Sequence, residues 1–260
     1  MLTGIHLSSY GLDFRNLSYE KASRMEESGE ALLHLIREIA CLPTIKRIRL
    51  GSLEPRVITE KFMRGLQEID AFCPHFHLSL QSGAERTLRR MNRHYTKEEF
   101  REAVNRIREV YPLAAITTDV IVGFPGETEE DFQESKAFLK EIGFYDMHIF
   151  KYSRRKGTRA DEMPEQIPEA VKKERSRILL ILAEEDSARF REKLVGKERE
   201  VLIEEEQEIE GQRYYTGFDE TYVRYFIPKE DSLLSGKIYT VYAEKVQAES
   251  ILGKVLKIRS

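Results

Sequence analysis

Between residues 45 and 152, short β-branched and apolar runs alternate with segments whose apolar residues recur every three to four positions. Residues 45–50 (Ile-Lys-Arg-Ile-Arg-Leu), 76–80, 115–122 and 146–152 have the length and composition of strands. Helical spacing fills the gaps. Phe62, Leu66 and Ile69 share one face of a helix that follows Glu54-Pro55 and runs to about residue 70. Thr96 opens another helix reaching about residue 110, and a third covers about 129–142. Upstream, Leu32, Leu33, Leu35, Ile36 and Ile39 place a helix over 24–41, stopped by Pro43. Parallel strands need crossover connections of this length, so the pattern predicts βαβ units and a parallel α/β sheet. Residues 1–4 read as the end of one further strand.

After Pro164 and Pro168 the pattern changes. One long helix is expected over about 168–195, with Glu169/Lys173 and Glu185/Arg189 as i,i+4 pairs and Gly196 as its C-cap. Five short β-rich runs follow, beginning near Val201, Tyr214, Tyr222, Ile238 and Val255, and predict a small all-β, OB-like barrel. The expected organisation is therefore 1–165, a connecting helix at 166–195, and 196–260. Formal charge is −3, and 196–260 holds 10 basic against 13 acidic residues, so RNA contact would rest on local patches and aromatics such as Tyr214, Tyr215 and Tyr222. Cys41 and Cys73 form neither a disulfide framework nor a cluster motif and fit a reducing cytoplasm. No apolar stretch approaches 18 residues, so no membrane partner is expected.

Ligands of parallel α/β folds bind where the loops after the strands converge. Here those loops are unusual in four successive units: Gly51-Ser-Leu-Glu54-Pro55, Gln81-Ser-Gly83, Gly123-Phe-Pro-Gly-Glu127, and Tyr152-Ser-Arg154 with Gly157-Thr158. Four such loops on one rim point to a binding surface. Thr128 and Asp131 read as a capping box for the next helix. Asp119, an acid within an apolar strand, is either paired in the core or faces a ligand. His75 and His77 share one face of a strand as zinc ligands could, but no second ligand pair stands at a suitable spacing, which favours a lining role and no metal. His6, His34, His94 and His148 are scattered. Two basic clusters, Arg86/Arg89/Arg90/Arg93 and Arg154/Arg155/Lys156/Arg159, follow strand ends and suggest a phosphate-bearing substrate.

In order, "IRLGSLEP", "HLSLQSGAERTLRRMNRHYT", "TDVIVGFPGETEEDF" and "FKYSRRKGTRA" resemble the radical S-adenosylmethionine methylthiotransferases over essentially the whole chain. The tail resembles that family's TRAM module, a β-barrel that helps hold RNA. "GIHLSSYG" and "YSRRKGTRA" look most like the branch that methylthiolates threonylcarbamoyladenosine beside the tRNA anticodon. Sister branches act on isopentenyladenosine in tRNA or on a ribosomal protein, and a non-catalytic RNA-binding module is the alternative from another class. The resemblance implies a partial radical-SAM (βα) barrel followed by the TRAM-like barrel.

The family's Cys-x3-Cys-x2-Cys loop, which holds a [4Fe–4S] cluster that binds S-adenosylmethionine, has no counterpart in this sequence. By resemblance the chain looks like the C-terminal part of such an enzyme. It is expected to bind no cluster, to be inactive alone, and to self-associate through an exposed strand edge. The cofactor's methionine end is expected near Gly4 and the loop at 5–8, with Glu54 and Gln81 as polar wall groups. Its adenosine is expected along Asp119, Ile121 and Gly123, with Phe150 and Tyr152 closing the far side. Arg154, Arg155 and Lys156 are the candidate contacts to the anticodon stem-loop.

Overall fold

In the computed structural model, which describes residues 1–4, 6–11, 29–230 and 233–258, the expected parallel sheet forms. Strands β1 (Ser52–Leu53), β2 (His75–Leu78), β3 (Ala115–Val122) and β4 (Asp146–Lys151) lie side by side in that order, all parallel. Leu2 extends the sheet beyond Leu50: its N–H donates to the Arg49 carbonyl at 2.8 Å, and Gly51 N–H donates to the Leu2 carbonyl at 2.7 Å.

The expected strand over 45–50 is reduced to isolated bridges at Ile48 and Leu50. Ile48 and Leu50 still enter the core, but Arg47 turns outward and donates to the Phe218 carbonyl at 2.9 Å.

The helices are α1 (Glu30–Ala40), α2 (Glu60–Gln67), α3 (Glu85–Arg90), α4 (Lys97–Val110), α5 (Glu129–Ile142), α6 (Arg159–Glu162) and α7 (Glu169–Glu192). The first part of the expected 24–41 helix lies outside the described residues. The helix expected to reach residue 70 ends at Gln67 and is preceded by a single 3-10 turn, Pro55–Val57. Caps follow from local chemistry. Thr96 with Glu99, and Thr128 with Asp131, form complete capping boxes that satisfy the first free N–H groups of α4 and α5.

Side-chain alternation gives the sheet two faces of different character. On one, Phe76, Leu78, Ile116, Val120 and Met147 pack under Phe62 and Leu66 of α2, Phe100 and Ile107 of α4, and Phe132 and Leu139 of α5. Truncating a fully buried aromatic such as Phe100 in this layer is worth about 3–5 kcal/mol. The other face carries His77, Asp119, Ile121, His148 and Phe150, and among the described residues no helix covers it as the first face is covered.

Helix α7 joins two cores. Leu179, Leu182 and Ala183 belong to the α/β layer, while Phe190 packs with the β-rich tail. Its ion pairs differ from expectation: Glu169 meets Lys172, and Arg189 meets Asp186, each three residues apart. Its C-cap is Lys193, because Gly196 has already left the helix and donates its N–H to the Ala243 carbonyl at 2.8 Å.

The tail is a closed barrel of β5 (Glu198–Ile209), β6 (Gln212–Asp219), β7 (Arg224–Pro228), β8 (Ile238–Gln247) and β9 (Ser250–Ile258), ordered β5-β6-β7-β9-β8. Only the β7–β9 pair is parallel. At Gly217 a Cβ would stand 2.0 Å from the Leu202 carbonyl, so β5 and β6 approach there as only glycine allows.

This barrel seats against the N-terminal ends of the parallel strands. The Arg49 guanidinium lies 3.3 Å over the Tyr222 ring, which also meets His75 edge-on and stacks on Phe218. Tyr214 and Tyr215 are buried. Of the three tyrosines expected to present bases with a stacking surface, Tyr214 and Tyr215 are thus enclosed by the barrel, while Tyr222 remains 41% exposed at its seat.

Candidate functional site

The opposite, C-terminal end of the sheet gathers the unusual segments, with the correction that Ser52-Leu53, expected within a loop, forms β1, so that its loop begins at Glu54. At its centre, Gly123 holds φ +72°, and a Cβ there would stand 2.3 Å from Lys172 Cγ. Both the backbone conformation and the close packing require glycine. The Gly123 N–H donates to both oxygens of Glu127 at 3.1 Å. Arg175 of α7 donates to Glu127 Oε1 at 2.7 Å and to its carbonyl at 3.2 Å, with both side chains buried. Burial pushes the Glu127 carboxyl up, opposed by the Gly123 N–H and the Arg175 guanidinium.

Two arginines of α3 hold the same loop. Arg86 donates to the Gly126 carbonyl at 2.5 Å and pairs with Asp131; Arg90 donates to the Pro125 carbonyl at 2.9 Å. Burial alone would raise Asp131, but Arg86 and the Thr128 cap hold its carboxyl below the usual range. Two members of the first basic cluster thus brace the loop, which corrects their reading as substrate-phosphate contacts. Arg89 remains exposed, beside Glu85.

Sequence reasoning missed Glu127, Lys172 and Arg175. A signal existed. Carried backward, the buried stripe of α7 (Leu179, Leu182, Asp186, Phe190) lands at helical spacing on Arg175 and Lys172. Charged residues at core-facing positions need partners, and the loop supplies them. Lys172 Nζ also donates to the Tyr152 carbonyl at 3.0 Å, tying the ends of β3 and β4 together.

Around this centre stand the other expected residues. The backbone of Gln81, at φ +67°, is stitched to β3: its N–H donates to the Asp119 carbonyl, and its carbonyl accepts from Ile121 N–H, both at 2.9 Å. Glu54 receives its position from Ser8, whose hydroxyl accepts the Glu54 N–H at 2.8 Å, and its carboxylate lies 3.1 Å from His6 Nε2. Gly4 is exposed, and Ile5 lies outside the described residues. Phe150 is 54% exposed on the open face. Tyr152 sets its ring edge-on to Phe124, and its buried hydroxyl has no hydrogen-bond partner.

Arg154 is held by Asp161, through Nε at 2.7 Å and through the Asp161 carbonyl at 2.9 Å. Arg155 and Lys156 are exposed in the turn before α6.

Deeper on the open face, the Asp119 question is resolved. It faces away from the helices, with Oδ2 3.3 Å from His77 Nε2. The hydrogen bond from His77 holds the Asp119 carboxyl below its ordinary value. His77 Nδ1 lies 2.9 Å from Thr117 Oγ1, and the His148 ring stands 5.8 Å from that of His77. His75, at the foot of the face, is driven down to about 3 by burial and by the neighbouring Arg49.

The cysteines stand apart: Cys41 is exposed at the end of α1, and Cys73 is buried ahead of β2. They do not furnish the three thiolates of a cluster site. Tyr152's unpartnered hydroxyl and, two residues before it, the exposed Phe150 ring are groups of a kind that suits a nucleoside.

Residues 22–139 match the Radical SAM superfamily model. The threonylcarbamoyladenosine tRNA methylthiotransferase MtaB of Aquifex aeolicus is 42% identical over 82% of this chain and 49% of that protein. The tRNA-2-methylthio-N(6)-dimethylallyladenosine synthase of Caldicellulosiruptor saccharolyticus is 38% identical over 78% of this chain and 41% of its own length. The MtaB of Thermotoga maritima is 34% identical over 97% of this chain and 54% of that protein. The chain spans about half the length of these relatives. Among the described residues no helix is long and apolar enough to cross a membrane.

Proposed function

We propose, from the chain's membership of the radical SAM methylthiotransferase family, that it forms the nucleoside-binding wall and C-terminal β-barrel of an enzyme that methylthiolates threonylcarbamoyladenosine beside the tRNA anticodon. One observation carries this reading. All four unusual loops meet at one end of the parallel sheet, around a Gly123–Glu127 turn braced by Arg86, Arg90 and Arg175. So many hydrogen bonds on one turn fix its backbone before any ligand arrives, which lowers the ordering cost of binding.

In this family S-adenosylmethionine and a [4Fe–4S] cluster supply the radical chemistry. The residues of this chain proposed for the cofactor are Asp119, Ile121 and Gly123 along the adenosine, with Phe150 and Tyr152 closing the far side. Gln81 and Glu54 are proposed as polar wall groups for the methionine end, together with Gly4. Their part is to bind and orient. Since the chain's thiols do not make a cluster site, the 260-residue chain is expected to hold no [4Fe–4S] and to show no turnover by itself; stoichiometric iron and sulfide after anaerobic reconstitution would overturn that.

Arg155 and Lys156, exposed at the same rim, are proposed to meet the anticodon stem-loop backbone, with Arg154 holding their turn through Asp161. The Leu2 edge of the sheet is the proposed surface for self-association; sedimentation as a strict monomer at high concentration counts against it.

The relatives carry names for two different modified adenosines, so the substrate branch rests on the "GIHLSSYG" and "YSRRKGTRA" motifs. Mass spectrometry of tRNA nucleosides from a strain lacking the gene tests it. Threonylcarbamoyladenosine should accumulate without its methylthio form. Loss of methylthio-isopentenyladenosine instead would transfer the assignment to the sister branch.

A further inference from the structure

We propose that the open face of the parallel sheet carries a divalent-cation site built from His77, Asp119 and His148. One donor atom from each lies within 4.8 Å of the other two. The three residues come from three neighbouring strands. Parallel register sets Asp119 opposite His148 across β3 and β4, and His77 opposite Thr117 across β2 and β3. All three side chains therefore leave the sheet on the same face.

The geometry suits a metal of zinc type. A cation about 2.0–2.1 Å from nitrogen and oxygen donors in a tetrahedral arrangement sets those donors roughly 3.3 Å apart. His77 Nε2 and Asp119 Oδ2 already stand at 3.3 Å. The remaining edges need a closure of about 1.5 Å at most, and His148 can supply it because its side chain is exposed. The second nitrogen of His77 is engaged: Nδ1 lies 2.9 Å from the hydroxyl of buried Thr117, which orients the ring with Nε2 toward the cluster. Such an outer hydrogen bond is the usual companion of a metal-binding imidazole.

An ion pair between His77 and Asp119 accounts for one edge of this triangle. It does not account for a second imidazole arriving from β4 with its ring tilted only 31° from that of His77. Two imidazoles and one carboxylate favour Zn²⁺, Co²⁺, Ni²⁺ or Fe²⁺ over Mg²⁺ or Ca²⁺. Three protein ligands also leave a coordination position open toward the solvent side. The site shares Asp119 with the proposed adenosine floor, two residues before Ile121 on β3, and metal binding measured without S-adenosylmethionine tests it independently of that assignment.

The test uses the tag-free 260-residue chain, stripped with chelator and titrated with Co²⁺. The expected result is one equivalent bound, with visible d–d bands, no thiolate charge-transfer band, and displacement by Zn²⁺. His77→Ala, Asp119→Asn and His148→Ala should each weaken binding at least tenfold, whereas a Cys41→Ser/Cys73→Ser variant should bind as before. His148 is exposed, so its variant should fold, and far-UV circular dichroism checks this. Absence of saturable binding, binding unchanged in His148→Ala, or binding lost with the cysteines would each overturn the proposal.

Discussion

Replacing Arg175 with Ala should loosen the strand-end loop and should do so in a pH-dependent way. Arg175 makes two hydrogen bonds to Glu127, at 2.7 and 3.2 Å, and one to Glu129 at 3.2 Å; its guanidinium also lies over the Phe132 ring. The Arg175 and Glu127 side chains are 7% and 5% exposed, so solvent screens their pairing little. Removing one partner of such a buried pair costs about 3–5 kcal/mol, because the other charge is left buried with too few partners. In Arg175→Ala, Glu127 keeps only the Gly123 N–H, and its carboxyl, already raised by burial, rises further.

An acid whose folded value lies above its unfolded one stabilises most below the unfolded value, and that contribution is lost as pH rises toward the folded value. The loss has a limiting slope of about 1.4 kcal/mol per pH unit. The variant should therefore be more destabilised at pH 8 than at pH 5. Arg175→Met by itself should cost about as much as Arg175→Ala, whereas Arg175→Met with Glu127→Gln removes both charges and should cost only about 1 kcal/mol, giving a coupling of at least about 2 kcal/mol between those two substitutions. Urea unfolding followed by circular dichroism, for the parent, both single variants and the double variant at each pH, measures this. A cost below about 1 kcal/mol for Arg175→Ala, or no rescue in the double variant, would refute the argument.

Other consequences are open to measurement. Gly123→Ala forces a left-handed backbone worth roughly 1–2 kcal/mol and pushes a methyl into Lys172, so Tm should fall by about 3 °C or more; an unchanged Tm would show that the loop adapts. Thr128→Ala should cost about 1 kcal/mol by removing the α5 cap. Asp131 is held below its ordinary value in the folded chain, so its contribution is present above the unfolded value, near pH 4, and is lost as pH falls further. Acid unfolding should accordingly flatten in Asp131→Asn, and identical acid limbs would contradict the Arg86 pairing. Arg155→Ala/Lys156→Ala should weaken tRNA binding and reduce the log–log salt slope by about 0.7–0.9 for each phosphate no longer neutralised; an unaltered slope would remove these residues from the interface.

Where local chemistry decides, the chain can be read directly. Thr96 and Thr128 mark the starts of α4 and α5 because an N-cap involves only residues a few positions apart, and β3 spans 115–122 as its β-branched run predicts. The five-stranded tail was legible too, since alternation and turn residues are both short-range signals. The four strand-end loops could be recognised for the same reason.

What failed were readings of charge and exposure, which depend on neighbours distant in sequence. Arg86 and Arg90 looked like phosphate ligands until the Pro125 and Gly126 carbonyls came within their reach. Tyr214 and Tyr215 looked like base-stacking surfaces until the barrel buried them, whereas Tyr222 stays partly exposed beside Arg49. Residues 45–50 keep only isolated bridges, and Arg47 among them donates to the barrel tail.

The sequence by itself determined the alternation of strands and helices, the capped helix starts and the placement of unusual loops at strand ends. Only the tertiary structure decided which charges meet. His77, Asp119 and His148 show no ligand spacing along the chain. Parallel pairing of β2, β3 and β4 brings them onto one face, since register, unlike sequence distance, sets which side chains are neighbours.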